Sequence, residues 1–336
     1  MVAPNIHAGD PFSLETLTAA VNQGSYRPGQ VSATGAFEED GVSTTMISIE
    51  MKDGKLSLVE PSARGGAGET TDDEKRTKIP FLIDHYQRND SILADEVQGV
   101  REFGTEASPE QLAVRVQKKA MRHGQDLTMT LEHQRVGALK GIVTSKSGKV
   151  LHDLYSVFGI AVPAAIPLAL DTDATIVSKL WQPVIYGIED DLDEPYGGIH
   201  VFTGRDFHDA LWQHKSVRDT FMYNAGAAAL RQDTPDKFVW GGATWERYRT
   251  GAKATADLGA PYIAATEARV MVTGVPDLFI TRFAPADYVE TVNTIGLPLY
   301  SKAIEKPNGK GYDLEVQSNP ISLCTRPKVL RKLTIA

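Results

Sequence analysis

One amphipathic run, from Ser108 to Leu139, constrains this chain more than any other feature. It opens on Ser108-Pro109-Glu110-Gln111. Serine there can cap the first turn, proline suits the first helical position, and glutamine stands three residues after the cap, where it closes a capping box. Leu112, Val116, Ala120, Leu127 and Leu131 keep one face apolar, while Arg115, Lys118, Lys119, Arg122, Asp126 and Glu132 keep the other wet. At 1.5 Å per residue the predicted helix is roughly 45 Å long, more than most globular domains span. It is a spine. Gly141 lies beyond its end, and Gly124 within it is a weak point costing ~1 kcal/mol relative to alanine.

The chain ahead of the spine reads as an arm followed by a ribbon. Ser13 caps a predicted helix with Leu14, Leu17 and Val21 on one face; Gly24 ends it, and Tyr26-Arg27-Pro28-Gly29 is turn chemistry. A helix this short is not stable alone and must dock on something. From Val42 to Glu60 the period becomes alternating, with Asp53-Gly54 as a tight turn, the signature of a hairpin. Pro61 to Arg76 is glycine-rich and then densely charged, with no apolar face to bury, so an exposed loop is expected. Thr77 to His85 resumes a strand, which Pro80 assigns to a sheet edge. A two-stranded ribbon of this kind is marginally stable by itself.

After the spine, Ile142-Val143-Thr144 and Lys149 to Tyr155 flank a turn at Ser147-Gly148, and the remaining chain alternates helix and strand. Helices are predicted over Thr172–Leu180, after a cap at Thr203, and over Pro285–Asn293, where Gly296 and Pro298 stop the last. Strands are predicted at Ile199–Phe202, Phe238–Trp240, Ala268–Val272 and Leu278–Phe283. The tail from Tyr312 to Ile335 reads as extended, broken by Pro320 and Pro327. No repeat of fixed period occurs. The class is α+β.

Composition narrows function by exclusion. Of 336 residues, 42% are hydrophobic and 23% charged, which rules out disorder of the whole chain. The formal net charge of −8 is opposite to that of a protein that grips phosphates, so a DNA-binding module is disfavoured. Cys324 is the sole cysteine, so neither an intrachain disulfide nor a thiolate metal cage can form, consistent with a reducing cytoplasm. The N-terminus lacks the pattern of a secretory signal. The longest apolar run, Ile160–Leu170, contains Pro163 and Pro167 and falls short of the ~18 residues a membrane span needs.

Catalytic and cofactor motifs are missing too. None of the eight histidines stands in an H-E-x-x-H pattern, and His208 and His214 point apart on one helix. They are expected to be solvated or singly hydrogen-bonded. The acidic run Glu189-Asp190-Asp191-Leu192-Asp193-Glu194 lacks the spacing and glycine of a calcium loop and reads as a solvated turn. Gly65-Gly66-Ala67-Gly68 is followed by no lysine-serine pair, and no G-x-S-x-G elbow exists. Neither catalytic residues nor a metal or cofactor is expected. A metal-dependent α/β enzyme using the acidic run is the alternative from a different class.

Five stretches, in order, carry a family resemblance: Thr45-Met46-Ile47-Ser48-Ile49-Glu50; Ile92-Leu93-Ala94-Asp95-Glu96-Val97-Gln98-Gly99-Val100-Arg101; Trp240-Gly241-Gly242-Ala243-Thr244-Trp245-Glu246-Arg247-Tyr248-Arg249; Phe283-Ala284-Pro285-Ala286-Asp287-Tyr288 through Pro298; and Gln317-Ser318-Asn319-Pro320-Ile321-Ser322-Leu323-Cys324-Thr325-Arg326-Pro327. Together they resemble the lambda-type major capsid proteins of tailed bacteriophages and span nearly the whole chain. The loop at 62–75 departs from the family in being more charged. The resemblance implies the HK97-like capsid fold: an N-terminal arm (1–40), an extended β-hairpin loop (41–90), a peripheral domain (91–164) with the spine helix (108–139), an axial α/β domain (165–310), and closing strands (311–336) that return to the peripheral domain.

It further implies a homo-oligomer of hexamers and pentamers that closes an icosahedral shell around DNA without sequence-specific binding. Portal, separate scaffolding and decoration proteins are the implied partners; no membrane is. A cellular nanocompartment shell of the encapsulin kind shares the fold and stays open at this point. The arm and ribbon are expected to bury their apolar faces on neighbouring copies. Candidate inter-subunit contacts are Ile79, Phe81 and Ile83 on the ribbon, Glu96 and Arg101 at the entry to the spine, and Glu290 and Asn293.

Overall fold

The structure, a computed structural model, describes residues 12–23, 29–52, 76–96, 112–222 and 236–336. In chain order the first elements are α1 (Leu14–Gln23), β1 (Phe37–Gly41), β2 (Met46–Lys52), β3 (Arg76–Leu82), β4 (Tyr86–Leu93) and α2 (Leu112–Lys140). There follow β5 (Ile142–Thr144), β6 (Val150–Asp153), α3 (Leu154–Val157), β7 (Ile166–Pro167), α4 (Val177–Leu192), β8 (Gly198–Thr203), α5 (Arg205–Gln213) and α6 (Lys215–Met222). The last are β9 (Lys237–Trp240), β10 (Ala243–Arg247), α7 (Ala252–Leu258), β11 (Glu267–Thr273), β12 (Phe279–Phe283), β13 (Tyr300–Glu305), β14 (Gly311–Ser318), β15 (Pro320–Cys324) and β16 (Arg331–Thr334). The capping box at 108–111, the turns at Tyr26–Pro28 and Asp53-Gly54, and the loop 62–75 lie outside the described residues.

Two compact units, each discontinuous in sequence, share the chain: Met1–Met46 with Leu82–Arg135 and Ile280–Ser322, and Ile47–Phe81 with Val136–Phe279 and Leu323–Ala336. Residues 280–310, the end of the segment expected to be axial, fall in the first unit.

In the first unit, β4 pairs antiparallel with β14, which pairs antiparallel with β13. β1, β12 and β15 form a second three-stranded sheet. The core beneath the first sheet combines Leu17 and Val21 of α1, Val116, Ala120 and Leu127 of α2, and Ile92, Leu314 and Val316 of the strands. Here an expectation is corrected. The helix of the arm does not keep its apolar face for a neighbouring copy; it buries that face within its own chain, leaving Leu17 only 3% exposed. Gly124 explains the fit. A Cβ there would stand 2.9 Å from Val21, so the glycine lets α1 approach α2 closely. Ser13 caps α1 as predicted, with its hydroxyl accepting from the Thr16 amide at 3.3 Å.

The apolar stripe of α2 is as predicted, but its polar face is not. Glu132 is buried, and from Gln134 to Leu139 every residue is buried, so the helix is covered on all sides there. Arg135 lies over the Phe37 ring at 5.4 Å and donates to Glu39 at 2.6 Å. Burial of these charges is tolerated because each finds a specific opposite or hydrogen-bonding partner.

The second unit is built on a six-stranded sheet in the order β7-β16-β11-β8-β10-β9. β8 and β10 run parallel, whereas β11 pairs antiparallel with both β8 and β16. β2 and β3 form a separate ribbon, as do β5 and β6. The helix predicted at 172–180 begins later and runs through Pro183 to Leu192. The stripe Val177, Trp181, Val184, Ile188, Leu192 recurs every three or four residues and is buried throughout, which outweighs the hydrogen bond that proline removes. Thr203 is not the cap of α5; Gly204 is, while the Thr203 hydroxyl donates to the Glu246 carbonyl.

Candidate inter-subunit surface

The ribbon residues fall into different environments. Phe81 is 3% exposed and packs against Phe158 and His152 of its own unit. Ile83 is likewise buried in its own chain, held by the bond from its amide to the Thr45 carbonyl, and Ile79 is half-buried. The exposed apolar side chain of this strand is its neighbour Leu82, at 67%. Strand alternation finds which residues share a face, not which face the chain itself covers.

Glu96 sits beside a charged network. Lys119 lies 3.3 Å from Asp90 and 3.6 Å from Glu96, and His123 lies 3.2 Å from the other Asp90 oxygen. Burial opposes ionisation of Asp90, but the Ser91 amide, His123 and Lys119 outweigh it and hold the carboxyl below the usual carboxylate range. This network fastens the end of β4 to α2. Arg101 lies outside the described residues.

Glu290 and Asn293 belong to the segment from Pro285 to Leu299. A helix was expected over 285–293; a single turn of 3-10 helix at Val289–Thr291 is found instead. β-Branched residues fill this stretch, and the Thr291 hydroxyl bonds the carbonyls of Ala286 (2.6 Å) and Tyr288 (3.0 Å), competing with a helical ladder. Asn293 takes a left-handed φ of 60°, which asparagine tolerates better than most residues. Glu290 accepts from Lys302 at 2.7 Å, and that bond holds its carboxyl low. Lys302 in turn lies over the Tyr288 ring. Burial, with the Glu315 carboxylate next to it, pushes the Tyr288 hydroxyl well above its ordinary range.

The sequence reading missed the residues flanking Glu290 and Asn293. Val289 is 88% exposed, Val292 64%, Ile295 68% and Leu297 43%. The signal was present, since four aliphatic residues in nine are many for a loop bounded by Pro285 and Pro298.

Among the described residues no catalytic constellation assembles around the other candidates. The acidic run is the C-terminal end of α4, not a free turn: Tyr196 donates to Glu189 at 2.9 Å, Arg331 pairs with Asp191, and Arg326 lies 3.2 Å from Glu194. These arginines offset the unfavourable placement of carboxylates at a helix C-terminus. Among the described residues no group of three or more histidine, cysteine or acidic side chains is placed to hold a metal. His208 is buried and shares a hydrogen bond with Thr203 at 2.9 Å; His214 is buried between Ser216 and the Thr172 carbonyl. The half-open cleft of about 480 Å³ beside α1 and α2 is mostly apolar, and its charged lining residue, Glu39, is already engaged by Arg135. No described helix is long and apolar enough to cross a membrane.

Known proteins share this plan. The chain is 26% identical over 350 aligned positions to the major capsid protein of Salmonella phage Felix O1, covering 95% of each. It is 25% identical to the major capsid protein of Pseudomonas phage KPP10, covering 90% of this chain and 91% of that one. In three dimensions it superposes on a protein described as a prophage capsid protein from E. coli CFT073 with a TM-score of 0.59 at 12% identity, over 96% of this chain and 99% of that one. The fold is thus α+β and resembles the HK97-like capsid folds. The family model described as phage major capsid protein E matches residues 13–335, virtually the whole described chain, and on that ground this chain belongs to the phage major capsid protein E family.

Proposed function

We propose that this chain is the subunit from which hexamers and pentamers of a tailed-phage head are built, closing an icosahedral shell around the genome after assembly in the host cytoplasm. The family match across residues 13–335 carries the reading, and it favours a phage head over a cellular nanocompartment. Within the shell, residues 1–40 act as the arm, 41–90 as the extended loop, 91–164 as the peripheral domain with 280–310 joined to it, 165–279 as the axial domain, and 311–336 as closing strands. Glu96, Arg101, Glu290 and Asn293, with Ile79 of the ribbon, stand near or in the contacts between copies, whereas Phe81 and Ile83 are already covered within the chain. Portal, scaffolding and decoration proteins are separate chains. The net charge of −8 supports enclosure of DNA over tight binding to it, because like charge keeps a wall from adhering to the phosphates.

The test is the mass and shape of the purified protein. Light scattering and electron microscopy are expected to show closed particles in the megadalton range. A monodisperse monomer or dimer at every concentration and salt tested refutes the proposal. Deleting residues 62–75 is expected to spare folding of the spine lobe and impair shell assembly.

A further inference from the structure

The segment Val289–Leu297 exposes more aliphatic side chains than an ordinary surface loop. The Thr291 side chain turns inward to bond the backbone, while Val289, Val292, Ile295 and Leu297 turn outward. Nor is the loop loosely held. The Gly296 amide donates to the Val42 carbonyl (3.0 Å), the Leu297 amide to the Tyr300 hydroxyl (2.9 Å), and the Thr294 hydroxyl to the Thr291 carbonyl (2.8 Å). Beneath it Ala286, Tyr288 and Tyr300 form a small core of their own, with Leu14 packed against it. Close backbone contact fixes it further, since a Cβ on Gly296 would stand 2.0 Å from the Phe283 carbonyl oxygen.

A surface that is rigid before binding loses little conformational entropy when covered. Four aliphatic side chains at these exposures present on the order of 400 Å² of apolar area, the size of the largest patch on a typical monomer, which is often functional. That is about half of what one partner contributes to a standard interface of ~800 Å² per side. The patch therefore suits one of several contacts that a shell subunit makes at once, and is too small for a lone stable dimer. Of the carboxylates beside it, Glu290 is paired with Lys302 and Asp287 accepts from the Gln317 amide (2.6 Å).

We infer that the Val289–Leu297 loop is a preformed apolar contact by which one copy of this chain packs on another during shell assembly, with Val289, Val292, Ile295 and Leu297 as the buried residues. The inference rests on the shell function proposed above and names a contact surface within it.

Cys324, the only native thiol, is fully buried, so a single introduced cysteine reports cleanly. In a Val292→Cys variant, maleimide labelling is compared between assembled particles and subunits held too dilute to assemble. The expected result is at least tenfold slower labelling in particles. In parallel, Val292→Lys/Ile295→Lys is expected to keep the wild-type circular dichroism and melting temperature yet lose most of its particle yield. If particles form and the introduced thiol stays as reactive as in free subunits, or the double-lysine chain assembles at wild-type yield, the inference is overturned and the shell reading survives. A thiol already shielded in the free subunit places the loop against its own chain and overturns it likewise. A wild-type chain that never assembles overturns both.

Discussion

Glu132 offers the sharpest test of how the arm is tied to the spine. Its carboxylate accepts from the Val31 amide at 2.8 Å, the Ser32 amide at 3.0 Å and the Ser32 hydroxyl at 2.5 Å, and its side chain is buried. In Glu132→Gln the volume is kept, but the new NH2 group must face at least one of these donors. The least costly orientation leaves the amide oxygen on Ser32 and sets the NH2 against the Val31 N–H. One bond to an ionised acceptor is then lost, and a buried donor is left unpaired, for a cost of about 2 kcal/mol. Hydrogen exchange reads this locally. Amide 31 is expected to exchange roughly 30-fold faster in the Glu132→Gln variant, at about 1.4 kcal/mol per factor of ten, while amides of the six-stranded sheet are unchanged. Gly29→Ala serves as an independent check, because a Cβ at 29 would stand 2.0 Å from Glu132 Cδ and push the carboxylate off its donors. Wild-type exchange at 31 in both variants refutes the assignment of Glu132 as the clasp.

Three further outcomes follow from the packing. Burial, opposed by Glu267 and reinforced by Arg269 and Lys332, lowers the Lys140 pKa from 10.5 to about 8. Between these values the unfolded chain holds a proton that the folded chain has released, so stability rises with pH from about 8 to 10.5. Below that window the charged lysine costs about 3 kcal/mol; Lys140→Met is expected to recover ~1–3 kcal/mol of it near neutrality and to flatten the rise, as read from urea midpoints between pH 7 and 10. Cys324 is fully buried, and burial pushes its thiol up to about 12; the native protein is expected to resist maleimide at pH 8 and to label fully in denaturant, and rapid native labelling contradicts the burial. Gly296→Ala drives a Cβ into the Phe283 carbonyl, which is backbone and cannot turn aside, so a loss of about 2 kcal/mol or more is expected by calorimetry, with Thr294→Ala costing less.

What the sequence determined by itself was the set of local elements wherever one face repeats: the stripe of α2, the cap of α1 at Ser13, and the strands at 238–240, 268–272 and 279–283, together with the α+β class. Short-range periodicity suffices for these, because it states which side chains lie on the same side of a helix or strand. The family motifs supplied the fold and its role. The tertiary structure alone decided what covers each face. Nothing near Glu132 or Arg135 in the chain announces that Val31, Ser32 and Glu39 will receive their charges, nor that β4 will pair with β14 from the far end of the sequence. The same holds in reverse for α1, which covers its apolar face within its own unit, and for Val289 to Leu297, whose aliphatic side chains end up outside. A residue's polarity sets the cost of burying or exposing it; which of the two occurs depends on partners brought from elsewhere in the chain.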